Sequence, residues 1–122
     1  MAKILIAEDN FNNRLILHDI LTFYKYEVIE AENGVAAIAI AKKEKPDLIL
    51  MDLQMPSMDG FEALAAIRKE TETAVVPIIA VTASAMPADR AKVLAAGFDG
   101  YVTKPFEVKE IVDVVKQHLG EK

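Results

Sequence analysis

The chain has 122 residues, 52% of them apolar, which is enough for one domain around a single core and leaves no room for a second. A formal net charge of -5 provides no long-range attraction to nucleic-acid phosphates or anionic lipid, so neither is expected as a direct partner. With no cysteine, disulfides, thiolate metal sites and cysteine nucleophiles are excluded. No apolar run nears the ~20 residues of a membrane span, no signal-peptide pattern follows Met1, and a cytoplasmic protein is expected.

Lys3–Ala7 opens the chain as an apolar strand. Asn10 or Asn12 then caps a first helix, in which Leu15, Ile16, Ile20 and Phe23 recur every three or four residues. Glu27–Glu30 forms a second strand, and the alanine-rich stretch from Gly34 to Lys45 forms a second helix stopped by Pro46. Leu48–Met51 is the third strand, followed by a helix from Gly60 to Lys69. A strand over Val76–Val81 precedes a helix from Met86 to Ala96 that ends at Gly97. Gly100–Thr103 is the last strand, and Glu107 to Leu119 is a closing helix ended by Gly120. Short β-branched runs alternating with amphipathic stretches mark repeated βαβ units around a parallel sheet. No repeat, low-complexity tract or linker interrupts them, so residues 1–122 read as one domain without an output module.

In an open parallel sheet, ligands bind at the carboxyl ends of the strands. Glu8-Asp9, Asp52, Thr82 and Lys104 each close a strand and meet at that rim. Three carboxylates close together repel by roughly 4 kcal/mol per pair at 4 Å and an effective dielectric of 20. A divalent cation relieves that repulsion, and Mg2+ fits best because it prefers hard oxygen ligands. Phosphoryl transfer to a carboxylate needs positioning and charge neutralisation. Asp52 is the candidate nucleophile, and Lys104 and Thr82 the groups that balance phosphoryl oxygens. Taken singly, each residue has a plainer reading: Glu8-Asp9 as an acidic helix start, Asp52 as a turn residue, Thr82 as a β-branched strand residue. Lys104 gains nothing from its charge between a strand and Pro105, and the sequence leaves open whether that peptide bond is cis. His18 and His118 fall on helices away from the cluster and read as surface or interface residues. The methionines read mostly as core filling, and Tyr101 as a half-buried residue of the last strand.

The segments Ile4-Leu5-Ile6-Ala7-Glu8-Asp9-Asn10, Leu50 through Gly60, Ile79-Ala80-Val81-Thr82-Ala83 and Tyr101-Val102-Thr103-Lys104-Pro105-Phe106 resemble the receiver domain of bacterial response regulators along essentially the whole chain. Within that family the chain is similar to single-domain regulators of the DivK type and to the receivers of hybrid kinases. The resemblance implies a flavodoxin-like (βα)5 fold, a three-layer α/β sandwich with strand order 2-1-3-4-5. It implies Asp52 as phosphoacceptor, Glu8 and Asp9 as metal-site acids, Lys104 as the site lysine, and Gln54 as a Mg2+ ligand through its backbone carbonyl. Thr82 and Tyr101 match the pair that repositions on phosphorylation, and Gln54 and Ser84 the variable positions that tune dephosphorylation. The implied partners are a sensor histidine kinase or histidine phosphotransfer protein and a downstream protein that reads the fourth helix, last strand and last helix. The implied oligomeric state is a monomer or a weak phosphorylation-dependent dimer. Such a protein is a phosphoacceptor switch that assists its own phosphorylation and dephosphorylation, rather than an enzyme. The alternatives are a receiver-shaped binding module that works without phosphorylation, a flavin carrier of the same fold, and a phosphatase with an aspartyl intermediate. The acidic, glycine-free loop after the first strand disfavours the flavin carrier, and the lack of length for a cap disfavours the phosphatase.

Overall fold

Ten elements follow one another in strict alternation in the computed structural model, which describes residues 2–56, 58–70, 73–83 and 86–120. They are β1 (Lys3–Ala7), α1 (Phe11–Phe23), β2 (Glu27–Ala31), α2 (Gly34–Glu44) and β3 (Leu48–Asp52), then α3 (Gly60–Lys69), β4 (Ile78–Thr82), α4 (Pro87–Ala96), β5 (Gly100–Thr103) and α5 (Val108–Leu119). The strands form one sheet in the order β2-β1-β3-β4-β5, parallel throughout. This is the flavodoxin-like topology expected from the sequence.

Successive strand residues point to opposite faces, and each face carries its own core. Leu5, Ile49, Met51 and Ile78 pack with Ala37, Leu64 and Val93 of the helices on one side. Ile4, Leu50, Ile79 and Val81 pack with Leu21 and Ile111 on the other. All five residues of β3 are buried, because helices cover both faces and a neighbour lies along each edge. That is why β3 reads as a continuous apolar run rather than an alternation.

The boundaries differ from expectation where backbone hydrogen bonding intervenes. Asn10, rather than Asn12, caps α1, its side chain accepting from the Asn13 amide at 2.9 Å. β4 starts at Ile78 instead of Val76, since Pro77 has no N–H to donate and the Val76 amide is spent in a turn to the Thr73 carbonyl. It also runs one residue further than expected, to Thr82. β2 and β3 each extend one residue further, through the pairings Ala7↔Ala31 and Asp52↔Val81. Met86 and Glu107 cap α4 and α5 instead of opening them, and α2 stops at Glu44, with Lys45 left-handed before Pro46. Met86 is exposed rather than core filling, whereas Met51 and Met55 are buried. Ser84 lies outside the described residues. Among the described residues, no helix is long and apolar enough to cross a membrane.

Candidate functional site

The expected residues arrive at one rim because four parallel strands end together. Glu8 follows β1 and is tied to β2 by its amide, which donates to the Ala31 carbonyl at 3.0 Å. Asp52 ends β3, and the next amide, from Leu53, donates to Val81 of β4. Thr82 ends β4, and its carbonyl accepts the Lys104 amide at 2.7 Å, which fixes the backbone of Lys104 just beyond β5. The Lys104–Pro105 bond is cis.

Glu8, Asp9 and Asp52 each present a carboxylate oxygen, and these oxygens lie within 4.8 Å of one another. Glu8 and Asp52 are buried, at 1% and 5% exposure, while Asp9 is exposed. The Lys104 ammonium sits 3.1 Å from Asp52 Oδ2 and 2.8 Å from Glu8 Oε1. Asp52 Oδ1 accepts the Gln54 amide at 3.1 Å, and Glu8 Oε2 accepts the Asn10 amide at 3.1 Å. Both carboxylates are thus held by backbone on one oxygen and by the ammonium on the other.

The two contacts of Lys104 are not equivalent. The one to Asp52 is an aligned hydrogen bond. The one to Glu8 Oε1 is the shorter but the less well aligned. A carboxylate oxygen has more than one acceptor site, so Glu8 Oε1 keeps ligand capacity beside the ammonium. With only hard oxygen donors converging, Glu8, Asp9 and Asp52 suit Mg2+.

Burial, and then the Asp52 carboxylate beside it, push the Glu8 carboxyl up to about 7, against the opposing pull of Lys104 and the Asn10 amide. Lys104 responds the other way. Burial works against its charge, but the adjoining Glu8 and Asp52 carboxylates outweigh it and hold the amine above its ordinary 10.5. The site as it stands carries more negative charge than one ammonium can balance.

Thr82 and Gln54 line a cleft of about 580 Å³ beside this cluster, together with Leu53, Met55, Asp89 and Lys92. Thr82 is buried. Tyr101 pairs with Ala80, two residues before Thr82, so it lies on the same face of the sheet one pleat away. It is half-buried, packs against the core, and has the Arg90 guanidinium 5.9 Å from its ring centroid. The histidines are engaged elsewhere. His18 faces Glu30 at 3.2 Å, and the ring nitrogens of His118 lie 2.8 and 3.0 Å from the carbonyls of Val114 and Asp99.

Arg14 also serves this site, although no motif of the sequence announces it. It is buried on the same stripe of α1 as Leu17 and Leu21, and its guanidinium donates to the Glu8 carbonyl at 2.9 Å. The available signal was a charged residue where the helical period calls for an apolar one.

Residues 4–116 match the model of the response regulator receiver domain. A relative from Brucella anthropi, the polar-differentiation response regulator DivK, is 36% identical over 98% of this chain and 97% of its own length. The receiver domain of a sensor histidine kinase from Pseudomonas aeruginosa, solved with a magnesium ion coordinated in its active-site cleft, is 35% identical. It superposes with a TM-score of 0.91 over 98% of each chain. The Vibrio cholerae chemotaxis protein CheY4 superposes at 0.90, with 32% identity over 96% of this chain and 98% of that one. Matched in sequence over nearly all its length and in strand order throughout, this chain belongs to the response regulator receiver domains, the signalling switches of two-component systems.

Proposed function

We propose that this protein is a phosphorylation-dependent switch in which Asp52 accepts a phosphoryl group from a phosphohistidine, on a sensor histidine kinase or a histidine phosphotransfer protein. The observation that carries this reading is the Asp52 carboxylate, buried, paired with Lys104 at 3.1 Å and set among Glu8 and Asp9. Mg2+ would be held by Glu8, Asp9, Asp52 and the carbonyl of Gln54, and when bound it supplies the positive charge that lets an anionic donor approach three carboxylates. The magnesium in the related Pseudomonas receiver supports that assignment.

In the transfer, an Asp52 oxygen forms a bond to phosphorus as the donor's N–P bond breaks, and the electron pair of that bond returns to the imidazole. Lys104 exchanges its contact with Asp52 for one with a phosphoryl oxygen, and the Thr82 hydroxyl donates to another. A group that interacts better with one arrangement of these two side chains than with the other shifts the balance between them. Tyr101 follows Thr82 on the same face. The readout surface is then α4, β5 and α5. Only Val93 of α4 is buried, so this helix is the one least tied to the core. The receiver acts in the cytoplasm as a monomer or a weak dimer formed on phosphorylation, and regulates a downstream protein.

Incubation with Mg2+ and a small phosphodonor, followed by intact-mass measurement, tests the reading. One phosphoryl addition is expected, lost in Asp52→Asn. An unmodified wild-type protein would leave a phosphorylation-independent binding module as the function.

A further inference from the structure

Arg14 is buried, with 8% of its surface exposed, and its donors divide between two tasks. Nη1 donates to the backbone carbonyl of Glu8 at 2.9 Å and lies 3.4 Å from that of Asp9. Nε donates to Glu30 Oε1 at 3.2 Å, and Nη2 lies 3.5 Å from Glu32. The Arg14 amide adds a third tie, to the Asn10 carbonyl at 3.0 Å, and the Phe11 ring lies 5.6 Å from the guanidinium. One planar fork therefore bolts the turn that carries both rim acids to the end of β2. A lysine, whose three donors sit on a single nitrogen, cannot span these acceptors at once.

We propose that Arg14 is a positioning residue for the metal site: it sets the backbone from which Glu8 and Asp9 reach the cation, with Glu30 as its anchor. This rests on the assignment of Mg2+ to Glu8, Asp9 and Asp52. Mg2+ demands near-ideal octahedral geometry, so a turn free to shift would present its two carboxylates at the wrong separation. Partners of this outer kind are typically worth about 10-fold to 100-fold in metal affinity.

Arg68 provides an internal control. Its guanidinium performs a comparable clamp at the opposite end of the sheet, donating to the Val76 and Gly97 carbonyls and to Asp99. Calorimetric titration of Mg2+ into the metal-free protein, above the Glu8 titration, should give Arg14→Lys a dissociation constant raised about 10-fold or more, with Arg68→Lys matching wild type. Without metal, the amide resonances of Asp9 and Asn10 should move in Arg14→Lys and stay in Arg68→Lys. Glu30→Leu, which keeps the arginine but removes its anchor, should weaken binding in the same direction and serves if Arg14→Lys does not fold. Binding within about two-fold of wild type in the folded arginine variant, or in Glu30→Leu, overturns the inference, as does equal weakening in Arg68→Lys. A wild-type protein that fails to bind Mg2+ overturns the metal assignment itself, and this inference with it.

Discussion

Glu8 gives the site a pH dependence whose sign and size follow from its position. In the unfolded chain its carboxyl has its ordinary value of 4.5, and in the folded protein burial and Asp52 raise it to about 7. The folded state therefore holds this proton more tightly, and between those values folding takes up a proton. Stability falls as pH rises across that window. At about 1.4 kcal/mol for each tenfold change in proton affinity, the gap amounts to about 3 kcal/mol, fully expressed above pH 7. Exposure of 1% leaves little solvent screening to reduce it. Glu8→Gln abolishes the titration while keeping the shape, so the difference between the two proteins reports the titration of Glu8 together with its coupling to Asp52 and Lys104. Urea unfolding in chelator at steps from pH 5 to about 8 is the assay. The wild type should lose about 2.5 kcal/mol relative to Glu8→Gln over that range, and saturating Mg2+ should offset the loss, by about 2.7 kcal/mol at a hundred times its dissociation constant. Parallel stability curves for the two proteins in chelator would refute the claim that Glu8 is held against its charge.

Asp52→Asn should lose phosphorylation while melting close to wild type. It removes both the repulsion of neighbouring acid oxygens within 4.8 Å and the attraction of Lys104 at 3.1 Å, each about 3 to 5 kcal/mol at an effective dielectric of 20 and opposite in sign; a collapse in melting temperature would make Asp52 structural. Lys104→Ala should still bind Mg2+ and drive the Glu8 carboxyl further up, but leave hydrogen exchange in α4 and β5 unchanged on phosphorylation, and a wild-type exchange response there would contradict its role in the switch. Gly60→Ala should cost about 1–3 kcal/mol in urea unfolding, since its Cβ would lie 2.7 Å from the Asp52 carbonyl and 2.9 Å from Leu53 Cα; unchanged stability would mean that α3 is free to back away from β3.

The strands and the rim acids were legible because both depend on local chemistry that a linear reading captures. Leu48 through Met51 is apolar without alternation, and an acid directly after such a run has nowhere to go but the rim at the strands' carboxyl ends. The capping residues were less legible, since Asn10 and Asn12 offer the same side chain and only the turn after β1 selects the first. The start of β4 was misplaced because Val76 has strand chemistry, while the missing donor belongs to the residue after it. Arg14 is hidden in the sequence for a different reason. Its four acceptors come from Glu8, Asp9, Glu30 and Glu32, and two of them are backbone carbonyls, which no pattern of side chains announces.

The rim is rigid on one side and loosely held on the other, and this asymmetry determines where strain can go. β1 and β3 each have a strand on both edges, so the backbones that carry Glu8 and Asp52 cannot separate to relieve their repulsion. The remaining outlets are a proton on Glu8, a cation among the oxygens, or a new position for Lys104. The last of these acts at a distance, because Lys104 is tied through its amide to Thr82 and continues β5, an edge strand paired only with β4. Next to β5 lies α4, which buries a single residue. In the proposed switch, a charge change at Asp52 would be resisted by the centre of the sheet and passed toward its least anchored edge, the side on which Tyr101 lies against Arg90.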